Sequence, residues 1–160
     1  MSRVLLLGVA LLIPACTRPP KNLAGEFPPI TVADAQRQPQ EGVPVRWGGT
    51  LVQATPQRDK TCFEIVSRPL DRQARPEPSD QSTGRFVACA PGFYDPSVYA
   101  GGREVTIVGT LHGATTRNVG EAEYRFPMVD AQAVHLWEEP RRPGWAPGVG
   151  ISIGGVFGGW

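Results

Sequence analysis

An all-β fold is predicted: a small antiparallel, OB-like barrel of five to six strands, between an extended N-terminal tether and a Gly-rich C-terminal tail. Three observations predict it. Apolar and polar residues alternate with period 2 in short segments, the signature of half-buried strands. Glycines sit inside those segments, where small barrels need bends to close. The 160 residues include 19 Gly and 17 Pro, a usage that favours turns over long helices. Five or six such strands separated by turns fit one small barrel.

The chain begins with Met1-Ser2-Arg3, an almost wholly apolar run from Val4 to Ile13, and Pro14-Ala15-Cys16. The run is too short to span a bilayer, which needs about 20 apolar residues. One positive charge, a short apolar run, a small residue and a cysteine form a bacterial lipoprotein signal. Residues 1–15 are therefore expected to be removed, leaving Cys16 as a lipidated N-terminus. Several acyl chains anchor stably where one is marginal, at about 0.8 kcal/mol per buried CH₂. Residue 17 is Thr rather than Asp, the residue that favours inner-membrane retention in enteric bacteria. An outer-membrane location follows as the expectation.

Residues 16–41 carry Pro19-Pro20, Pro28-Pro29 and Pro39 among polar residues, and only Phe27, Ile30 and Val32 stand out as able to pack. This composition predicts an extended linker that lets a domain stand off the membrane, with Phe27 to Ala35 free to cross the domain surface.

The barrel is expected over residues 42–138. Val43, Val45, Trp47 and Leu51 alternate with Pro44, Arg46, Gly48 and Thr50, and Gly48-Gly49 marks a bulge or sharp bend. A second strand spans about Thr61 to Ser67, with Phe63 and Ile65 on one face and Cys62, Glu64 and Val66 on the other. Residues 71–84 read as a polar loop. Gly84 to Ala90 forms a third strand, with Phe86 and Ala88 opposite Val87 and Cys89. Gly92 to Ser97 is a turn whose aromatic pair can plug a barrel end, and Val98 to Gly101 suits one helical turn. Glu104 to Leu111 is the clearest strand, bent at Gly109. Residues 112–121 read as a polar hairpin loop, and Tyr124 to Trp137 as one or two strands broken by Pro127. Residues 139–160 form a Pro/Gly-rich tail: after Pro140, Pro143 and Pro147, glycine alternates with apolar residues from Gly148 on, and Trp145, Phe157 and Trp160 add aromatic rings. Disorder, an added edge strand and a membrane- or partner-contacting strip all suit that tail.

Charge and cysteine content narrow the chemistry. The 16 Lys and Arg, less Arg3, match the 15 Asp and Glu. A balanced chain with scattered basic residues has no electrostatic footprint for nucleic acid. Of three cysteines, lipidation takes Cys16 and leaves Cys62 and Cys89 as a pair in an oxidising compartment. They fall on neighbouring strands, opposite Phe63 and Phe86, where cross-strand Cβ atoms come within about 4.5–5.5 Å. A disulfide is the expectation, with two buried free thiols as the alternative.

No catalytic, cofactor or metal site is expected. Neither cysteine has a second Cys or a His at ligand spacing. His112 and His135 stand apart, Ser82 has no strained nucleophile turn, and Glu121 and Glu123 suit a solvated strand end. The residues expected to contact a ligand or partner are Arg46, Trp47, Arg85, Phe93, Tyr94 and Tyr99. An arginine in a barrel strand either clamps a carboxylate or phosphate or makes a structural pair, here with Asp71 or Asp95.

The central block resembles the Slp family of small outer-membrane lipoproteins. The resemblance rests on Val45-Arg46-Trp47-Gly48-Gly49, on Glu64-Ile65-Val66 with Pro69-Leu70-Asp71, and on Ser82-Thr83-Gly84-Arg85-Phe86. It continues through Gly92-Phe93-Tyr94-Asp95-Pro96 with Tyr99, and Gly102-Arg103 with Val105 to Gly109. Gly120-Glu121, Tyr124, Pro127 and His135-Leu136-Trp137 complete the series over about residues 42–138. The resemblance implies an outer-membrane lipoprotein facing the periplasm, linked to starvation or envelope stress and without an established catalytic or cofactor site. The cysteine pair departs from the pattern. The expected partners are the membrane, through the lipid anchor, and an envelope protein or peptidoglycan. An OB-like pocket for a small or oligomeric envelope ligand is the alternative reading.

Overall fold

The computed structural model describes residues 18–139. The signal segment, Cys16 and the Gly-rich tail, with Trp145, Phe157 and Trp160, lie outside the described residues. Five strands close a barrel: β1 (Glu41–Pro56), β2 (Lys60–Arg68), β3 (Arg85–Pro91), β4 (Glu104–Val119) and β5 (Ala122–Leu136). Their order around the ring is β1-β2-β3-β5-β4. Four of these pairings are antiparallel; the β3–β5 closure is parallel, through Val87–Met128 to Cys89–Asp130. This is the five-stranded OB-like architecture expected from the alternation.

β1 makes closure possible. Its first half pairs with β4 and its second half with β2, and Gly48 to Thr50 pair on both sides at once. A Cβ on Gly49 would stand 1.9 Å from the Val66 carbonyl oxygen, and one on Gly48 2.7 Å from that of Val105. The two glycines therefore serve close backbone approach. The bulge lies further on, where the β1–β2 register shifts between Leu51 and Gln53.

Alternate residues fill the interior: Val45, Trp47 and Leu51 from β1, Phe63 and Ile65 from β2, Phe86, Ala88 and Ala90 from β3. Val105, Ile107 and Leu111 from β4 and Val129 and Ala131 from β5 complete it. Both ends are plugged. At the Pro91 end of β3, Tyr94 and Tyr99 pack edge-on to each other, with centroids 5.1 Å apart, and cover Phe63 at 5.2 and 5.5 Å. At the Arg85 end, the plug comes from the segment read as a linker.

That segment is folded where an extended chain is expected. Lys21–Leu23 forms a 3-10 turn, and helix α1 spans Val32–Arg37. A capping box between Thr31 and Asp34 starts α1, satisfying two otherwise unpaired N–H groups. Leu23, Val32 and Ala35 are buried, the last two inside the main core. The Gln36 side-chain amide donates to the carbonyls of Arg85 and Arg125. The prolines shape the approach of this segment, and its few apolar residues bring enough burial to hold it on the barrel.

β4 and β5 also run past their expected ends. The polar stretch after Leu111 is strand as far as Val119, and the turn narrows to Gly120 and Glu121, with Gly120 at φ +62°. Pro127 does not break β5. It pairs opposite Ala114 beside the register shift between Leu111 and Ala114, where a missing N–H is tolerated. The resulting arm lays Phe126, Tyr124, Val119 and Met128 against Val87, Cys62 and Cys89 on the outer face of β2 and β3. β3 is thereby buried on both faces.

Candidate functional site

The six residues expected to meet a ligand or partner do not converge. Trp47 is nearly buried; its indole N–H donates to the Ile30 carbonyl at 2.8 Å and its ring meets Phe86 edge-on. Tyr94 and Tyr99 belong to the plug at the other barrel end, and burial pushes the Tyr99 phenol above its usual pKa. Phe93, beside them in sequence, is 73% exposed. Arg85 pairs with Glu64 at 3.0 Å, and its backbone N–H donates to the Tyr124 hydroxyl. Alternation identified Trp47 as a strand residue but could not reveal that the upstream segment covers it.

Arg46 takes neither of the partners proposed for it. Its guanidinium donates to the Leu23 carbonyl at 2.9 Å and lies over the Phe27 ring, 4.9 Å from the centroid. Asp71 instead accepts from the backbone N–H groups of Gln73 and Arg75, and Asp95 from Ser97. Those Ser97 contacts hold the Asp95 carboxyl below the usual range. Arg46 is thus the clamp that fixes the N-terminal segment to β1.

Between that segment and the barrel lies a groove of about 480 Å³. Phe27, Pro28, Pro29 and Ile30 form one wall; Pro69 and Leu70, after β2, form the other, with the edge of Trp47 as the floor. Arg46 and Arg68 border it, and among the described residues no carboxylate lines it. Sequence reading missed this site because it needs a wall from residues read as linker. The apolar trio Phe27, Ile30 and Val32 was its signal.

Other polar groups tie loops to the barrel. Arg75 binds the Glu104 carboxylate through Nε and Nη2 and lies over Trp137. The Trp137 indole donates to the Thr106 hydroxyl, which donates to the Ala74 carbonyl. This chain of contacts orders the loop after β2. His112 lies 3.7 Å from Asp130 at the base of the arm, whereas Glu121 is at its tip. His112, Glu121 and an arginine therefore do not share a cleft.

His135 packs against Trp137, and its Nδ1 accepts from the Asn22 amide beside the 3-10 turn. Burial holds its pKa below the ordinary value of 6.5. The unfolded chain therefore takes up this proton first as pH falls. Stability linked to His135 is complete above about pH 6.5 and is lost as pH falls through the folded pKa. Thermal unfolding should accordingly show a lower Tm at pH 5 than at pH 7.5. His135→Gln should narrow that difference, and an unchanged difference would remove His135 as its source.

A family model described as "Outer membrane lipoprotein Slp family" matches residues 13–149. The chain belongs to the Slp family. Among Slp-like relatives, "Uncharacterized lipoprotein YeaY" of Escherichia coli K12 is 32% identical, over 94% of this chain and 84% of that protein. "Outer membrane protein Slp" of the same organism is 30% identical, over 83% and 73%. An uncharacterized protein of Haemophilus influenzae is 32% identical, over 76% and 68%. A small single-stranded DNA-binding protein from Streptomyces coelicolor, of solved structure, superposes with a TM-score of 0.41 at 19% identity, covering 61% of this chain and 95% of that one. Slp family membership makes the chain an outer-membrane lipoprotein associated with the membrane. The family match includes Cys16 and the whole barrel.

Proposed function

We propose that this Slp family lipoprotein is held by lipid on Cys16 at the periplasmic face of the outer membrane. There it works by binding rather than catalysis, in the response to starvation or envelope stress. The family match through Cys16 carries this reading, and the burial of Leu23 sets how near the anchor the barrel is held. Leu23 lies only seven positions after Cys16, is fully buried, and has its carbonyl held by Arg46. Seven Cα-to-Cα steps, even if fully extended, reach at most about 25 Å, and the 3-10 turn at Lys21–Leu23 shortens this, so the barrel works close against the lipid surface. The packed segment replaces the long tether with a short leash.

Several observations support binding over catalysis. Glu64 and Glu104 are occupied by arginines. Asp71 and Asp95 are consumed in turns. The groove offers apolar walls and cationic edges, which favours a ligand-binding role over a purely structural one. An envelope protein or peptidoglycan remains the partner proposed for the outer surface, where Phe93 is exposed.

The test compares wild type with Cys16→Ser in a bacterial host, using metabolic labelling with an alkyne fatty acid, membrane fractionation and protease access. Wild type should take up label, fractionate with the outer membrane and resist protease until that membrane is permeabilised. Cys16→Ser should take up no label and leave the outer-membrane fraction. Unlabelled wild type would overturn the anchor, and digestion in intact cells would overturn the periplasmic face. Protein abundance measured on carbon starvation tests the stress link, which requires a rise.

A further inference from the structure

We propose that the groove between the N-terminal segment and the end of β2 binds a single-chain alkyl anion: an acyl chain whose carboxylate or phosphate head is held by Arg68 and Arg46. This deepens the binding role proposed above and rests on it. The inference starts from what the groove leaves unpaired. The Trp47 N–H is spent on the Ile30 carbonyl, Thr31 on its capping box, and Thr83 on the Ser67 hydroxyl. The charged donors that remain belong to the two arginines, beside the Ser67 hydroxyl, which accepts from Thr83. Arg46 uses Nη1 on Leu23 and one face on Phe27. Arg68 has no ion-pair partner among the described residues.

Two cationic forks without a lining carboxylate favour an anion, and a guanidinium binds carboxylate or phosphate in bidentate fashion. The walls favour an apolar body. Phe27, Ile30, Pro69 and Leu70 present aliphatic and aromatic surface, which gains about 25 cal/mol per Å² on burial. The volume of about 480 Å³ lies within the range of small-molecule sites, about 300–1,000 Å³. That suits one alkyl chain. The short leash holds this groove close to the bilayer, where single-chain lipid anions arise.

The test uses the full-length lipoprotein in isolated outer membranes and three diazirine probes of equal chain length. One bears a carboxylate, one a phosphate and one a neutral glucoside. At least one anionic probe should label peptides containing residues 27–32 and 67–70 at least tenfold more than the neutral probe. Whichever anionic probe labels more strongly identifies the head group, and unlabelled dodecanoate should compete. Arg68→Gln should cut the labelling at least tenfold with an unchanged Tm. Leu70→Glu, which brings a carboxylate into the groove, should do the same. Equal labelling by the neutral probe, labelling confined to other peptides, or full labelling of Arg68→Gln would each overturn the proposal. The fraction in which each variant sediments reports anchoring separately, so a lost anchor and an empty groove are distinguishable.

Discussion

Gly49→Ala is expected to destroy the closed barrel, at a cost of at least about 3 kcal/mol. The added Cβ would lie 1.9 Å from the Val66 carbonyl oxygen and within 3 Å of two further backbone atoms of β2. No side chain can turn aside to relieve this, because every colliding atom belongs to the neighbouring strand. β2 cannot withdraw without opening the ladder from Gly48–Arg68 to Leu51–Ile65. β1 cannot shift the other way, because Gly48 already faces the Val105 carbonyl of β4. For a domain of this size each kcal/mol moves Tm by about 3–6 °C. Circular dichroism should therefore show a fall of more than about 10 °C or no cooperative transition. Gly120→Asn supplies the contrast: φ is +62°, a Cβ there meets nothing within 4 Å, and Asn tolerates the left-handed region. Its Tm should stay within a few degrees of wild type. A Gly49→Ala protein as stable as wild type would show that the strands do not approach so closely at this corner.

The same corner shows what the sequence made legible. Period-2 alternation located all five strands, because each strand turns alternate residues into the barrel interior and the pattern records which ones. Gly48-Gly49 stood out because glycine weakens a strand unless something else occupies the Cβ position. The ends of β4 and β5 were not legible. Residues 112–119 are polar because the arm is largely exposed, and an exposed strand lacks the alternation that marks a half-buried one. The N-terminal segment was misread for a related reason. Its apolar residues are few and interrupted by proline, so their burial is tertiary and has no local period. The surroundings of Trp47 and Arg46 were not legible because they depend on that segment: Ile30, Leu23 and Phe27 engage both side chains and leave only part of each facing the groove. Arg68 was missed because its importance comes from the wall opposite it.

Removing the Cys62–Cys89 bond is expected to cost about 3–4 kcal/mol, the loop-closure value for a separation of 27 residues. The two cysteines are register partners in the β2–β3 ladder, so the bond joins strands that already pair. Its main effect falls on the unfolded chain, which loses the freedom of the segment from β2 through the long loop to β3. A second effect is local. The bond lies beneath the arm, against Val87, Phe126, Tyr124 and Met128. The Tyr124 hydroxyl accepts the Arg85 N–H at the start of the same strand. Cys62→Ala with Cys89→Ala removes both the cross-link and sulfur packing, whereas reduction of the wild type leaves the sulfurs in place. Reduced wild type should lose roughly 10–20 °C in Tm, and the double variant slightly more. Hydrogen exchange should divide the two effects. Arm amides over residues 112–126 should exchange faster in the double variant than in reduced wild type, while main-core amides should accelerate alike in both. A Tm indifferent to reductant would mean that strand pairing alone confines the loop. Equal exchange in the arm would mean that its seat depends on Phe126 and Val87 and not on the sulfurs.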